Sequence, residues 1–445
     1  MSEVLSLGEV VRPNRPRVKP ETMPDAPFIG MEHVEAHTMK LLGTVPAATM
    51  KSSAVHFKPG DVLYGRLRPY LNKVFRPTFE GLCSAEFIVF PENERIDGRY
   101  LQYFLNSGTF VRFATHLNAG DRPRVDFDQI APYPIPVPTL ERQREVVAEL
   151  EKQFSRLDEA VANLQRVKAN LKRYKASVLK AAVEGRLVET EATLARREGR
   201  PYETGEQLLQ RIQIARQSQW AGRGRYKEPE SIRQDETCTL PDGWCWATLE
   251  QLHLQIADVD HKMPKAIDDG IPYVSTKDFF GDEGINFDAA KRISLEDFNA
   301  LSRKVRPENG DILLSRYGTV GEVRLVTTTE PFQASYSVAI LKPVRGLIPV
   351  NYLASVLRSE VVMSQIKRDV RATAQPDLGL AHIRQFVIPL PPLAEQVRIV
   401  AEVDRHLSII REVEAEVDAN LQRAQALRQA TLAKVFSGGE LGLSN

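Results

Sequence analysis

A chain of 445 residues, 42% hydrophobic and 26% charged, has the composition of a globular protein of about two to four domains and excludes a disordered or fibrous one. It has no run of about 18 apolar residues, which excludes a membrane-spanning helix, and Met1–Val11 lacks the basic and apolar regions of a secretory leader. Cys83, Cys238 and Cys245 form no CxxC pair and fit a reducing cytoplasm with no zinc site, while a net charge of +1 names no partner by itself.

In chain order, Pro27-Phe28-Ile29 is the first apolar segment, and His33, His37 and His56 fall in loops, where solvation accounts for them. Asp61–Tyr64, after a Gly-Asp turn, and Phe87–Phe90 are predicted strands; Tyr100–Leu105 is a predicted short helix. Residues 140–183 contain neither Pro nor Gly and are predicted to form one long helix ending at Gly185. The stretch 186–243 is a connector with one amphipathic segment, Glu206–Trp220, and a Gly/Arg/Glu-rich passage, flexible near Gly222–Arg225. Beyond it, Asp311–Leu314 and Val338–Leu341 are predicted strands and Tyr352–Leu357 a helix. A second long helix ends at Gly438-Gly439.

The order of elements repeats. Ile135-Pro136-Val137-Pro138-Thr139-Leu140 is echoed by Ile388-Pro389-Leu390-Pro391-Pro392-Leu393, and the same offset of 253 aligns Gln143 with Gln396, Leu179 with Leu432 and Gly185 with Gly438. Upstream, Gly60–Arg66 matches Gly310–Arg316, and Pro27-Phe28-Ile29 matches Pro272-Tyr273-Val274. The reading is two tandem copies of an α/β globular domain followed by a long helix. Its boundaries are a first domain over 1–138, a first spacer helix over 139–185, a connector over 186–239, a second domain over 240–391, a second helix over 392–438 and a tail over 439–445.

Val147, Leu150, Phe154, Leu157, Val161 and Leu164 form a heptad seam, and Val400, Val403, Leu407, Ile410, Val417 and Leu421 form another in the same register. Two separate dimerising coiled coils would satisfy these seams. Matching registers within one chain favour an intramolecular pair, expected to be antiparallel because a parallel pair would make the connector travel back roughly 66 Å.

The chemistry-bearing motifs looked for do not appear: no GxxxxGK[ST], no GxGxxG after a strand, no HExxH, no Cys/His cluster and no Asn/Asp-Pro-Pro-aromatic tetrapeptide. Asp258, Asp260 and His261 are dense enough to suggest a metal, but a loop cluster without further ligands reads as solvated. The expectation is a recognition or scaffold role without catalysis.

Ile388–Gln396 before a long helix, Tyr64–Lys73, Ser315–Gly321, Ala374–Leu378 and the domain start Leu240-Pro241-Asp242-Gly243-Trp244-Cys245-Trp246 together resemble the specificity subunits of type I restriction–modification systems. The first copy departs at Thr139 and Arg142, where the second has Pro392 and Glu395, and it lacks the Pro-Asp-Gly-Trp start. The resemblance implies that each globular domain reads one half of a bipartite double-stranded DNA target. It implies helices that space the halves and dock two modification (methyltransferase) subunits, with restriction subunits joining them. S-adenosylmethionine, and ATP with magnesium, would then be bound by those partners and no cofactor by this chain, in the cytoplasm.

Base edges are read chiefly by Arg, Lys, Asn and Gln. The first-domain candidates are Arg66, Arg68, Tyr70, Asn72, Lys73, Asn118, Arg122 and Arg124, and the second-domain candidates are Lys277, Arg316, Tyr317, Arg324, Lys367, Arg368 and Arg371. Arg66 and Arg316, shared by both copies, suit phosphate contact or folding, whereas Asn72 and Arg122 differ between copies and suit base reading. Two other classes remain: a coiled-coil scaffold whose globular domains bind protein, and an enzyme with a site not legible in its motifs.

Overall fold

The computed structural model describes residues 3–13, 16–220, 225–230, 232, 239–261, 263–370 and 376–437. Arg371, Cys238, the Gly222 turn and the Gly438-Gly439 stop lie outside them. The chain is mixed α/β and forms two compact units, one of residues 1–167 with 416–445 and one of residues 168–415. The divisions fall inside both long helices, so each unit holds one segment of each helix. Among the described residues no helix is long and apolar enough to cross a membrane.

The first unit has a five-stranded sheet in the order Arg17–Val18, Ala54–Phe57, Gly81–Ser84, Pro27–Ile29, Val45–Pro46. A three-stranded sheet places Val62–Gly65 between Val74–Phe75 and Phe87–Phe90. The second unit has a four-stranded sheet, His253–Ala257, Val338–Pro343, Ile312–Ser315 and Val323–Leu325, and a three-stranded one around Ile271–Val274. The four strands predicted after or opposite the Gly-Asp turns are all present, two of them one residue later than expected. The turns themselves are alike. Gly60 and Gly310 have φ of 92° and 87°, a region open to glycine. The buried Asp61 accepts from the Lys58 amide at 2.9 Å, and the buried Asp311 accepts from the Glu308 amide at 2.8 Å.

The Pro-rich signature has a structural logic that recurs in both units. Pro134–Val137 pairs with Glu3–Ser6, and Val387–Leu390 pairs with Cys245–Thr248, both antiparallel. In both units a proline carbonyl of this segment accepts from a tyrosine side chain. Tyr100 Oη donates to the Pro136 carbonyl at 2.9 Å and Tyr352 Oη to that of Pro389 at 2.8 Å. One helical turn on, the buried Gln143 and Gln396 donate Nε2 back to the Pro138 and Pro391 carbonyls, each at 2.8 Å. The spacing Pro-x-x-x-x-Gln is thus a closed ring that starts a helix.

Leu140–Val183 and Leu393–Phe436 are helices of 44 residues each. Gly185 terminates the first with φ 68°, and the Arg186 amide reaches back to the Ala181 carbonyl at 2.9 Å. In the first unit Val147, Leu150 and Phe154 are buried in a core with Tyr64, Phe104, Phe110 and Leu432. There Arg428 ion-pairs with Asp158 and lies over the Phe154 ring at 4.4 Å. Leu157, Val161 and Leu164 are half-buried. In the second unit Val403, Leu407 and Ile410 are buried with Val178, Leu179, Trp244 and Tyr352, and Tyr174 hydrogen-bonds His406 at 2.8 Å. Val417 is buried in the first unit, and Leu421 there and Val400 in the second are half-buried. Ile399 is buried where its neighbour Val400 is half-buried, because the start of the helix packs on its domain as well as on a helix.

The connector holds one more helix than expected. Glu191–Glu198 precedes Gly205–Ser218. It is only two turns long and buries Glu191, Ala192 and Ala195, too short a pattern to stand out as periodic.

Candidate nucleic-acid interface

In the first unit the strand Val62–Gly65 delivers the chain into a loop whose backbone is unusual. Arg68 and Asn72 have φ of 51° and 47°, so a single turn of helix, Pro69–Leu71, is bracketed by two left-handed residues. A second loop, 117–126, is tied to it. Leu67 bridges Arg124, the Arg68 amide donates to the Pro123 carbonyl at 2.7 Å, and the Val125 amide donates to the Arg66 carbonyl at 3.0 Å. Two candidate clusters far apart in sequence therefore form one edge.

The second unit repeats this construction. Tyr317 bridges Asp377, and the Leu378 amide donates to the Arg316 carbonyl at 2.9 Å. Arg316 and Arg66 stand at equivalent places and do related work, since Arg66 ion-pairs with Asp126 on the second loop and Arg316 with Asp377 at 3.5 Å. Phosphate contact or folding was the expectation for this shared arginine, and in both units the side chain is paired within the fold.

The fates of the individual candidates differ. Tyr70 and Arg122 are exposed; Arg68 is half-buried. Arg124 is exposed and donates Nε to Glu86 at 2.9 Å. Asn118 is occupied with the Arg124 carbonyl and with Gln129 at 3.2 Å. Lys73 is half-buried, donates to the Met31 carbonyl at 2.6 Å, and is held below its ordinary pKa by burial, with Glu32 opposing that shift. Lys277 is exposed in the turn Thr276–Asp278. Lys367 and Arg368 are exposed at the end of the helix Glu360–Asp369, paired with Glu360 and Asp369 at 3.0 and 3.2 Å.

Three candidates are corrected. Asn72 is 2% exposed, and its amide donates to the Asn106 carbonyl at 3.1 Å, so it cannot present itself to a base as it stands. Arg316 is 6% exposed, ion-paired with Asp258 and donating to the Leu378 carbonyl at 3.0 Å. Arg324 is 3% exposed and holds the Gly281 and Gly284 carbonyls at 2.8 and 2.9 Å. In each case the sequence shows the donor and not the distant carbonyl that takes it. The Asp258–His261 cluster is corrected too. Asp258 is not solvated but buried, taking Arg316 and, at 3.2 Å, Lys304. No group of three or more His, Cys, Asp or Glu suited to a metal occurs among the described residues.

The candidate Tyr317 belongs to an aromatic face whose other rings, His261 and Tyr336, were not among the expected readers. His261 stacks on Tyr336 with centroids 4.7 Å apart, Tyr317 meets Tyr336 edge-on at 5.7 Å, and the Arg316 guanidinium lies 4.6 Å from the Tyr317 centroid. Three loops contribute these rings, and no linear pattern joins them. Together with the exposed arginines of the first unit, these edges can offer charge, hydrogen-bond donors and flat apolar surfaces, the means by which nucleic acids are held and read.

Comparison with known proteins gives this arrangement a class. Residues 258–422 match the family model of the type I restriction modification DNA specificity domain. The chain is 30% identical over 173 residues to the type I restriction enzyme EcoDI specificity subunit of Escherichia coli, covering 38% of each chain. It is 25% identical over 305 residues to the EcoBI specificity subunit of the same species, covering 68% of this chain and 58% of that one. The matched portions are thus well under two thirds of either relative's length. A solved structure from a study of complex assembly and conformational transition of the type I R-M system superposes over 99% of this chain and 98% of its own, with a TM-score of 0.67 and 20% identity. Residues 258–422 thus match a type I restriction modification DNA specificity domain, and the chain is similar to specificity subunits of type I restriction enzymes.

Proposed function

We propose that this chain is a DNA-reading specificity subunit without catalysis of its own, and that each unit reads one half of a bipartite double-stranded target. The observation that carries the reading is the repeated loop pair. The backbone ties at Arg66–Arg68 with Pro123–Val125 recur at Arg316–Tyr317 with Asp377–Leu378, while the exposed side chains around them differ. A shared frame with unlike surfaces suits two readers of unlike sequences.

The long helices would pair antiparallel and act as the spacer. The Arg428–Asp158 contact in one unit and the Tyr174–His406 contact in the other support this order, since moving forward along the first helix means moving back along the second. The halves would then offer equivalent docking surfaces to two modification subunits, with restriction subunits joining. S-adenosylmethionine, and ATP with magnesium, would reside on those partners, in the cytoplasm. The scaffold reading is less favoured, because the relatives carry the name of DNA specificity.

Selection from random-sequence DNA by the chain assembled with its modification subunits tests this. Recovery of two defined half-sites around an undefined spacer of constant length is expected. Recovery of one contiguous site, or of none, overturns it.

A further inference from the structure

We infer that the acidic turn Gly281–Gly284 is a strut that positions the second globular domain on the long helices. The inference rests on the DNA-reading proposal only for its functional consequence. The turn joins the short strands Phe279–Phe280 and Gly284–Ile285, which form a two-stranded hairpin. Gly281 has φ 50°, the left-handed conformation that closes so tight a loop. From inside the domain, the buried Arg324 grips the hairpin, bonding the Gly281 and Gly284 carbonyls and lying over the Phe279 ring at 4.7 Å.

From outside, the helices take hold of the tip. Asp282 ion-pairs with Lys175 of the first long helix. Glu283 pairs with Arg411 of the second at 3.0 Å and with Arg358 of the domain at 3.1 Å. Two adjacent carboxylates thus reach one cation on each helix. Exposed ion pairs are weak singly, but here they share a tip whose backbone is already held by a buried guanidinium, so little ordering entropy opposes them.

The first unit is not built this way. At the offset of 253, Lys175 corresponds to Arg428 and Arg411 to Asp158. Those two residues bind each other. Over the corresponding helix segments the first unit has a cleft of about 750 Å³, lined by residues of the turn 35–40, Glu35 among them, and by Asp158 and Arg428. The two domains therefore meet the helices differently at this level, and the hairpin contact belongs to the second.

Amide hydrogen exchange on the full chain, free of DNA, tests the strut directly. The Asp282→Asn/Glu283→Gln variant is expected to speed exchange over 279–285 by on the order of tenfold, leaving the core strand Ile312–Ser315 unchanged. The swap Asp282→Lys with Lys175→Asp restores part of the protection. Unchanged exchange over 279–285, equal acceleration throughout residues 168–415, or failure of the swap overturns the strut. In the assembled complex the same carboxylate variant is expected to lose about tenfold of its discrimination between spacers one base pair apart, with half-site sequences unaltered. Undiminished spacer discrimination overturns the positioning role. If the unmodified complex shows no sequence selectivity, the DNA-reading proposal fails while the exchange result stands.

Discussion

At the scale of single residues, burial separates arginines that look alike in sequence. Arg316 and Arg66 occupy one position in the two copies, but the side chain of the former is 7% exposed and that of the latter 23%. Arg316→Ala would take from the buried Asp258 carboxylate its buried partner, leaving the more exposed Lys304 and His261, and breaking a buried pair costs on the order of 3 kcal/mol. Arg66→Ala, facing an exposed Asp126, is expected to cost less than about 1 kcal/mol. Urea denaturation of both variants checks the contrast, and equal losses would show that the Asp258 pair carries no special weight. Arg122 makes the opposite case. It is exposed on the first unit's loop edge, so Arg122→Ala should leave stability alone and weaken target binding by about 1–3 kcal/mol at one base position of the first half-site. A uniform loss across sequences, with a shallower salt dependence, would assign it to phosphate instead.

The junctions between elements have their own chemistry. The Glu191 carboxylate sits where the connector meets the second long helix, and burial pushes its pKa up while Arg200 and Arg398 pull it down further, for a net lowering below 4.5. A folded-state value below the unfolded one means that stability from this site is complete above pH 4.5 and lost as pH falls through the folded value. Acidification below that point should therefore loosen 189–200 from the start of the second helix. Glu191→Gln should flatten that part of the pH profile, which thermal melts across pH 3–6 would reveal; an identical profile would discharge the site of any such role. Gln143→Ala probes the Pro-rich junction. It would strip partners from the Asp97 amide and the Pro138 carbonyl, and unsatisfied buried groups of this kind cost about 1–3 kcal/mol each. This junction was legible in sequence because the closing bond spans five residues. The pairing of Asn72 with Asn106 was not, since 34 residues separate them and neither announces the other.

For the whole molecule, the proposed ruler is the helix pair. Removing 155–161 and 408–414 together takes one heptad from each helix and keeps both seams in phase. The preferred spacer should shorten, read by binding to a series of targets that differ only in spacer length. An unchanged optimum in a folded variant would mean that something other than helix length sets the distance. The connector between the units belongs to the same scale. Its helix Glu191–Glu198 escaped sequence reading because two turns bury too little to make a stripe, and it is the carboxylate pairing at Glu191 that seats it.

Sequence alone determined the features written in short-range terms. The 44-residue helices follow from a heptad pattern free of Pro and Gly, interrupted once in each copy by a charge, and the strands from short apolar runs, two of them after Gly-Asp turns. The correspondence of the two copies follows from an offset that is constant at 253 through the helices and drifts to 245 upstream, where loops differ in length. Tertiary structure alone decided which polar side chains are spent holding the fold and which remain on its surface. Arg316, Arg324 and Asn72 are residue types of readers, but each is buried against a carbonyl brought from 34 to 62 residues away. Desolvating a guanidinium or an amide is tolerable only when such partners are in place, and their arrival is a property of the folded chain.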